Sequence, residues 1–228
     1  MMERSRGNTS TLNTIQGVAI AIQRVRADQR HTGIFHKSTE NGSLNLMDLC
    51  WHKVLRNAAP NRSIDVIWIT PPLPQRRLRL VADTCRQIWR ANGRGSIPYG
   101  FGKPTDCFDD NTHEFLIGPS HLGLTCASFV LAVFARCGTH LIRYEEWPVE
   151  RDGDTEWQSR IVGDLREQYT DTENVSHIER VEGEIGVVRF RPEEVAGAAC
   201  APSLPATFAE SDRYAQEIVA QLNSGSNV

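Results

Sequence analysis

The sequence predicts an α+β domain in which a small antiparallel sheet packs on a helix that begins near Cys126. Short apolar runs rich in β-branched residues, separated by turn residues, predict strands in the first 70 residues. Apolar residues at helical spacing predict helices in the rest of the chain. The chain has 228 residues, of which 40% are hydrophobic and 23% are charged, so it is long enough to bury one large core.

Strands are predicted where apolar runs end at turn residues. The predicted strands are, in chain order, 18–22, 31–35, 44–49 and 64–70. Asn41-Gly42, inside a turn at 37–43, is a hairpin signal that pairs the second and third of these strands. We expect residues 50–57 to form a short helix or a loop that ends at Pro60.

Helices are predicted where apolar residues recur every three or four positions. The predicted helices are 73–92, 125–137, 154–169 and 207–222. Gly93 and Gly138 stand just beyond the first two and mark their ends. Residues 93–120 are rich in Gly, Pro, Asp and Asn and predict irregular structure, whereas 177–191 could hold two strands around Gly183.

The chain predicts one domain with a polar extension at its start. We expect residues 1–13 to be a flexible N-terminal arm because they are polar and rich in Ser, Thr, Asn and Gly. Residues 14–228 are then expected to form a single domain, divided into a core at 14–138 and a C-terminal elaboration at 139–228.

Charge and hydropathy exclude several classes of protein. The 28 acidic and 25 basic residues give a formal net charge of −3, which disfavours a nucleic-acid binder. The first residues lack the apolar stretch of a secretory signal, and the longest apolar run, 129–135, is too short to span a bilayer. We therefore expect a cytoplasmic protein that is not an integral membrane protein, with export by a signal-independent route as the alternative.

The six cysteines do not form a recognisable metal or disulfide pattern. None are spaced as CxxC, and the chain has no secretory signal, so we expect neither a disulfide framework nor a structural zinc site. Cys50 with His52, and Cys107 with His113, place potential donors near each other at unspecific spacing. We expect no metal and no cofactor.

Cys126 is the cysteine with a setting suited to chemistry. Thr125 can cap a helix whose first turn contains Cys126. A thiol at a helix N-terminus feels the positive end of the helix dipole, which favours the thiolate, and the free amides there can hold an oxyanion. The alternative is a cysteine buried in the core of an apolar helix.

A nucleophilic cysteine needs a base and a group that orients the base. His31 opens the strand at 31–35, and the returning strand offers Asn45 as first choice and Asp48 as second choice for the orienting residue. Tyr99, in the Gly-rich segment Ile97-Pro-Tyr-Gly-Phe-Gly102, can place its hydroxyl beside the thiol.

Three segments, His31-Thr-Gly-Ile-Phe, Ile97-Pro-Tyr-Gly-Phe-Gly and Gly123-Leu-Thr-Cys-Ala-Ser-Phe, together resemble the circularly permuted branch of the NlpC/P60 papain-like superfamily. That branch includes lecithin:retinol acyltransferase-like and YiiX-like proteins, and the resemblance covers about residues 14–138. It implies a permuted papain-like fold with a small antiparallel sheet on the nucleophile helix. It also implies Cys126 as nucleophile, His31 as base, Asn45 or Asp48 as the third member, and Tyr99 beside the thiol.

The sequence departs from that family at three points. The acidic residue that commonly precedes the nucleophile is Thr125 here, and the serine that follows it is Ala127. The third catalytic position is commonly a histidine, and 44–49 contains none. These departures leave the identity of the orienting residue open.

The resemblance implies a cysteine hydrolase that cleaves an amide, peptide or isopeptide bond through an acyl-enzyme. A thiol-dependent acyltransferase or thioesterase is one alternative, and a catalytically inactive binding module on the same fold is another. The expected partner is a peptide, a protein or a small acyl substrate, and not a nucleic acid.

The remaining histidines offer one alternative base. His177 follows Cys126 by 51 residues, which suits the unpermuted order of the family, but its acidic neighbours favour a surface position. His36 lies five positions from His31, so the two side chains point to opposite faces of a strand.

Three residues are candidate substrate contacts: His121, Thr125 and Trp147. His121 and Thr125 precede the nucleophile closely enough to line a cleft. Trp147 lies in the acidic segment 145–154, which either borders the cleft and disfavours anionic substrates or is a solvated loop. Trp147 itself is either a substrate platform or an anchor packed under that loop, and the anchor is favoured.

Overall fold

The computed structural model describes residues 2–6, 9–26, 28–37, 42–61, 65–93 and 95–224. Within these residues the chain forms one antiparallel sheet of six strands and six α-helices, which confirms the α+β class. The strands are β1 Met2–Arg6, β2 Val18–Arg24, β3 Arg30–Lys37, β4 Leu44–Trp51, β5 Val54–Ala58 and β6 Asp65–Ile69. The helices are α1 Gln75–Asn92, α2 Cys126–Arg136, α3 Asp154–Gln168, α4 Thr172–Glu182, α5 Pro192–Ala198 and α6 Phe208–Asn223.

The sheet has the strand order β1-β6-β2-β3-β4-β5. In β2, the five residues Val18–Ile22 are all buried, because apolar clusters cover both faces of this central strand. Strands β3 and β4 pair as the predicted hairpin, with Ile34 opposite Met47. Its turn includes residues 38–41, which lie outside the described residues.

Helix α2 packs on the sheet and is buried almost all round. Phe129, Val133 and Phe134 are fully buried, as expected for a helix that is apolar on every side. The same core includes Val195 of α5 and Leu222 of α6, so the C-terminal third of the chain belongs to it. Among the described residues no helix is both long enough and apolar enough to cross a membrane.

The first residues are not the flexible arm that the sequence predicts. Strand β1 pairs antiparallel with β6, with Met2 opposite Ile69. The Arg4 guanidinium donates two hydrogen bonds to the Asp65 carboxylate, at 2.9 and 2.8 Å, and a further one to the Gln221 carbonyl at the end of α6. The sequence did not predict this strand because its side chains are mostly polar. Its pairing depends on backbone groups and not on an apolar pattern.

Two other segments also differ from their predicted structure. Residues 54–58 form strand β5, which continues the β3–β4 hairpin into a meander. The two strands predicted within 177–191 are wrong, because 172–182 is the helix α4. Its N-cap Asp171 accepts the Asn174 amide, and its apolar residues at 175, 178 and 181 follow helical spacing.

Gly123 brings the Gly-rich loop 97–102 against the start of α2. A Cβ at this position would lie 2.6 Å from the Pro98 carbonyl oxygen and 2.6 Å from the Tyr99 carbonyl carbon. The Leu124 amide donates to the same Pro98 oxygen at 3.0 Å. A side chain at 123 would therefore push the loop away from Cys126.

We expect Gly123→Ala to destabilise the protein by about 1–3 kcal/mol, because backbone atoms must move to admit the methyl group. Gly118→Ala is the matched control, since a Cβ there meets no atom within 4 Å and should change stability by less than about 0.5 kcal/mol. Urea unfolding of both variants measures the difference. Equal stability of the two would contradict the packing described for the loop.

Candidate active site

Cys126 is the first residue of α2 and is held there by a reciprocal cap. The Thr125 hydroxyl accepts the Ser128 amide at 3.1 Å, and the Ser128 hydroxyl accepts the Thr125 amide at 2.8 Å. Because the first amides of a helix have no acceptor inside it, those of Cys126 and Ala127 remain available to an anion. The Cys126 side chain is 8% exposed and lines a cleft.

His31 lines the cleft and pairs with the buried Asp48 behind it. The His31 Nε2–H donates to the Asp48 Oδ2 at 2.5 Å, and the side chains are 13% and 1% exposed. The other ring nitrogen, Nδ1, is thus left for a second partner, and Cys126, which lines the same cleft, interacts electrostatically with the ring. The structure therefore brings Cys126, His31 and Asp48 together.

Arg56 completes this chain from strand β5. Its guanidinium donates to both carboxylate oxygens of Asp48, at 3.2 and 2.6 Å. Burial would raise the pKa of Asp48, but the hydrogen bonds from His31 and Arg56 outweigh it and hold the pKa below its usual value. Sequence analysis missed Arg56 because it did not predict a strand at 54–58, the element that carries the residue.

His31 favours its protonated form in this setting. Burial by itself would lower the pKa of His31. The negative charge of a Cys126 thiolate and the hydrogen bond to Asp48 oppose that effect and raise the pKa well above its ordinary value. This arrangement favours the imidazolium form of His31 next to the Cys126 sulfur.

Gly33 sets the distance between β3 and Asp48. A Cβ at this position would lie 2.7 Å from the Asp48 Cβ and 2.9 Å from the Met47 carbonyl oxygen. Only glycine leaves room for the carboxylate beside the β3 backbone. The glycine two residues after His31 thus has a steric role in building the site.

The structure does not bring Asn45 to His31. Asn45 pairs with His36, and His36 lies five residues along β3 from His31, or about 16 Å at the rise of a strand. The first choice for the orienting residue is therefore wrong, and Asp48 occupies that place. His36 is buried and bonds the Asn57 side chain at 2.9 Å, away from the cleft.

A β-bulge places Cys50 in the cleft next to these residues. In the β4–β5 pairing, Leu49 is opposite Leu55 and Trp51 is opposite Val54, so Cys50 is the extra residue. Its Sγ lies 3.4 Å from the Asp48 Oδ2. Both Cys50 and Trp51 line the cleft as a result.

Tyr99 is fixed beside the site by two histidines, His52 and His177. Its ring packs on Trp51, with centroids 4.9 Å apart. Its amide donates to the His52 Nδ1 at 3.3 Å, and its carbonyl accepts the His177 Nε2–H at 2.9 Å. Burial raises the pKa of the Tyr99 hydroxyl well above its usual value.

The expected surface position of His177 is wrong. It is 6% exposed, lies on α4 and holds Tyr99 by the backbone rather than facing Cys126. Its helical position is the reason, because the apolar side of α4 that packs inward includes residue 177. Burial lowers the pKa values of both His177 and His52, so both favour the neutral form.

Of the three candidate substrate contacts, only Thr125 lines the cleft. Trp147 is 3% exposed, packs on Phe208 at 5.2 Å and donates to Glu194, so it is an anchor. His121 donates to the Thr105 carbonyl at 2.9 Å and is not part of the cleft wall.

The opposite wall of the cleft is formed by residues of the C-terminal third. These include Trp157, Arg189, Phe190, Pro192 and Glu193. The Arg189 guanidinium lies 3.9 Å from the centre of the Trp157 ring, a cation–π contact. No sequence motif marks these residues, since they come from separate elements.

The acidic segment 145–154 ends in a buried ion cluster rather than at the cleft. Asp154 is 5% exposed and accepts hydrogen bonds from Arg151, Arg189 and Arg191 at 2.9–3.0 Å. The cleft carries acidic groups of another origin, Asp28 and Glu193. The prediction that this acidic segment borders the cleft is therefore wrong for Asp154. Its charge is neutralised by the three arginines that surround it.

We expect Asp48→Asn to lower the pKa of His31, because the hydrogen bond to the carboxylate raises that pKa whereas burial lowers it. NMR titration of the His31 ring measures the change. Glu182→Gln is the control, since it removes a carboxylate that pairs with Arg166 and lines neither the cleft nor the surface around Asp48. An unchanged His31 titration in Asp48→Asn would contradict the contact.

No protein-family model, curated protein or solved structure matches this chain. The identity of the site is therefore argued from its own residues. Cys126, His31 and Asp48 stand in the geometric relation of a nucleophile, a base and an orienting group.

Proposed function

We propose that the protein is a cysteine hydrolase that cleaves an amide or isopeptide bond through an acyl-enzyme on Cys126. The observation that carries the proposal is the chain of contacts from Cys126 at a helix N-terminus through His31 to a buried carboxylate. A cysteine that merely fills a core needs neither an oriented histidine nor an ion-paired aspartate. The order of the motifs also supports a permuted papain-like arrangement of the NlpC/P60 type.

The first half of the reaction forms a thioester. The Cys126 sulfur attacks the carbonyl carbon of the substrate, and the amides at the start of α2 hold the resulting oxyanion. The His31 imidazolium then gives its proton to the leaving nitrogen as the carbon–nitrogen bond breaks. The products are a free amine and an acyl group bound to Cys126.

The second half of the reaction returns the free enzyme. His31, now neutral, takes a proton from water as the water oxygen attacks the thioester carbon. The carbon–sulfur bond breaks, the carboxylic acid leaves, and the proton on His31 restores the imidazolium–thiolate pair. Asp48 keeps the ring in place throughout by its bond to Nε2, and Arg56 holds Asp48.

The six thiols provide an internal test of the pair. Burial raises the pKa values of Cys50, Cys85, Cys107, Cys137 and Cys200, so these five resist alkylation near neutral pH. Cys200 has a pKa of about 11 and is the half-buried reference remote from the cleft.

We expect iodoacetamide to modify Cys126 faster than any other cysteine at pH 6, because the adjacent imidazolium favours its thiolate. His31→Ala should slow this modification by about tenfold or more while leaving Cys200 unchanged. Mass spectrometry of the individual peptides measures each rate. The Cys126–His31 pair would be refuted if Cys126 reacted at the rate of Cys200, or if His31→Ala left the rate at Cys126 unchanged.

An activated ester tests the acyl-enzyme without knowledge of the substrate. With p-nitrophenyl acetate we expect a burst of about one equivalent of nitrophenolate and an acetyl group on Cys126, both absent in Cys126→Ala. Cys200→Ser is the matched control and should retain the burst.

The slow phase after the burst separates the alternatives. Release of acetate to water supports the hydrolase, whereas faster release to an added amine than to water favours an acyltransferase. No burst with a correctly folded protein would indicate the inactive binding module. Cleavage of acyl-lysine peptides, compared with esters of the same acyl group, then tests the amide preference.

A further inference from the structure

Three side chains of metal-ligating type converge beside the cleft: His31, Asp48 and Cys50. One donor atom from each, a ring nitrogen, a carboxylate oxygen and a thiol sulfur, lies within 4.8 Å of the other two. The Asp48 Oδ2 atom lies 2.5 Å from the His31 Nε2 and 3.4 Å from the Cys50 Sγ. Donors around a tetrahedral zinc ion lie about 3.3–3.8 Å apart, given zinc–donor distances of about 2.0–2.3 Å, so the His31 nitrogen and the Asp48 oxygen must separate by about 0.8 Å to share one ion.

The donor set selects one class of cation. A thiolate sulfur and an imidazole nitrogen are poor ligands for Mg²⁺ and Ca²⁺, which prefer oxygen. The combination of one sulfur, one nitrogen and one oxygen suits Zn²⁺, and three protein donors leave its fourth position for water. Cys50 is the residue that distinguishes this site from an ordinary cysteine–histidine–aspartate arrangement.

Arg56 is the group with which a cation must compete. It donates to the same oxygen of Asp48 at 2.6 Å, and its side chain is 50% exposed, so it can move into solvent when a cation arrives. The Asp48 side chain is 1% exposed and has no comparable freedom. Binding thus exchanges one positive partner of Asp48 for another and leaves the buried charge paired.

We propose that the protein binds Zn²⁺ reversibly through His31, Asp48 and Cys50, and that the bound ion occupies the Nε2 atom of His31 and so prevents the ring from forming an imidazolium. A zinc-bound Nε2 can no longer donate to Asp48, and the proton of the imidazolium is released on binding. Inhibition of hydrolysis rests on the proposed function, whereas binding of the ion does not.

Co²⁺ replaces Zn²⁺ as a spectroscopic probe of the binding step. The full-length protein, reduced and metal-free, is titrated with Co²⁺, and a sulfur-to-cobalt charge-transfer band reports thiolate ligation. We expect one equivalent to bind with this band, and Zn²⁺ to displace it. Cys50→Ser should lose the band, whereas Cys126→Ala and the matched control Cys200→Ser should keep it.

Alkylation provides an independent readout of the same site. We expect Zn²⁺ to protect Cys50 from a slow alkylating agent at pH 8 and to leave Cys200 unprotected. Circular dichroism of Cys50→Ser checks that loss of the band does not arise from unfolding. If that variant is unfolded, the metal site is tested in the parent protein instead, by measuring the alkylation of the Cys50 peptide with and without Zn²⁺.

The results separate the two proposals. A band that persists in Cys50→Ser, a band that requires Cys126, or no binding to the folded protein would overturn the metal site. Metal binding in a protein that shows no acyl-enzyme burst would retain the metal site and refute the hydrolase. A burst that Zn²⁺ abolishes, and that returns when a chelator is added, supports both.

Discussion

The site depends on one buried carboxylate and the groups that neutralise it. Asp48 is almost fully buried, and an unpaired charge in that position would cost several kcal/mol. Arg56 and His31 both pair with it, so the carboxylate joins β3, β4 and β5 at the point where the cleft begins. Gly33 permits this approach, since any side chain there would occupy the space of the Asp48 Cβ.

Local signals predicted the parts of the site that depend on neighbouring residues alone. Thr125 caps a helix in any fold that allows one, so the position of Cys126 at the start of α2 followed from the sequence. His31 belongs to a strand whose turn and return strand are also local. The prediction of a hairpin therefore held, and with it the placement of His31 near its partner strand.

Local sequence signals could not predict the register of the strand pairing or the contacts between residues far apart in the chain. Asn45 and Asp48 differ by three positions, which puts them on opposite faces of β4, and only the register with β3 decides which one meets His31. Trp157 lines the cleft, and Arg56 and His177 hold residues beside it, from elements far apart in the chain. Their roles follow from how those elements pack, for which a single sequence offers no pattern.

The C-terminal third shows why this dependence on packing matters for function. The buried Asp154 accepts hydrogen bonds from Arg189 and Arg191, and Arg189 in turn lies on the ring of Trp157. Two cleft-wall residues are thereby fixed by one internal charge. The cleft residues from the C-terminal third are therefore held by internal contacts, as His31 is held by Asp48. Under the proposed function, the aromatic rings, the arginine and the glutamate of this wall form the surface that meets the substrate, because they line the same cleft as Cys126.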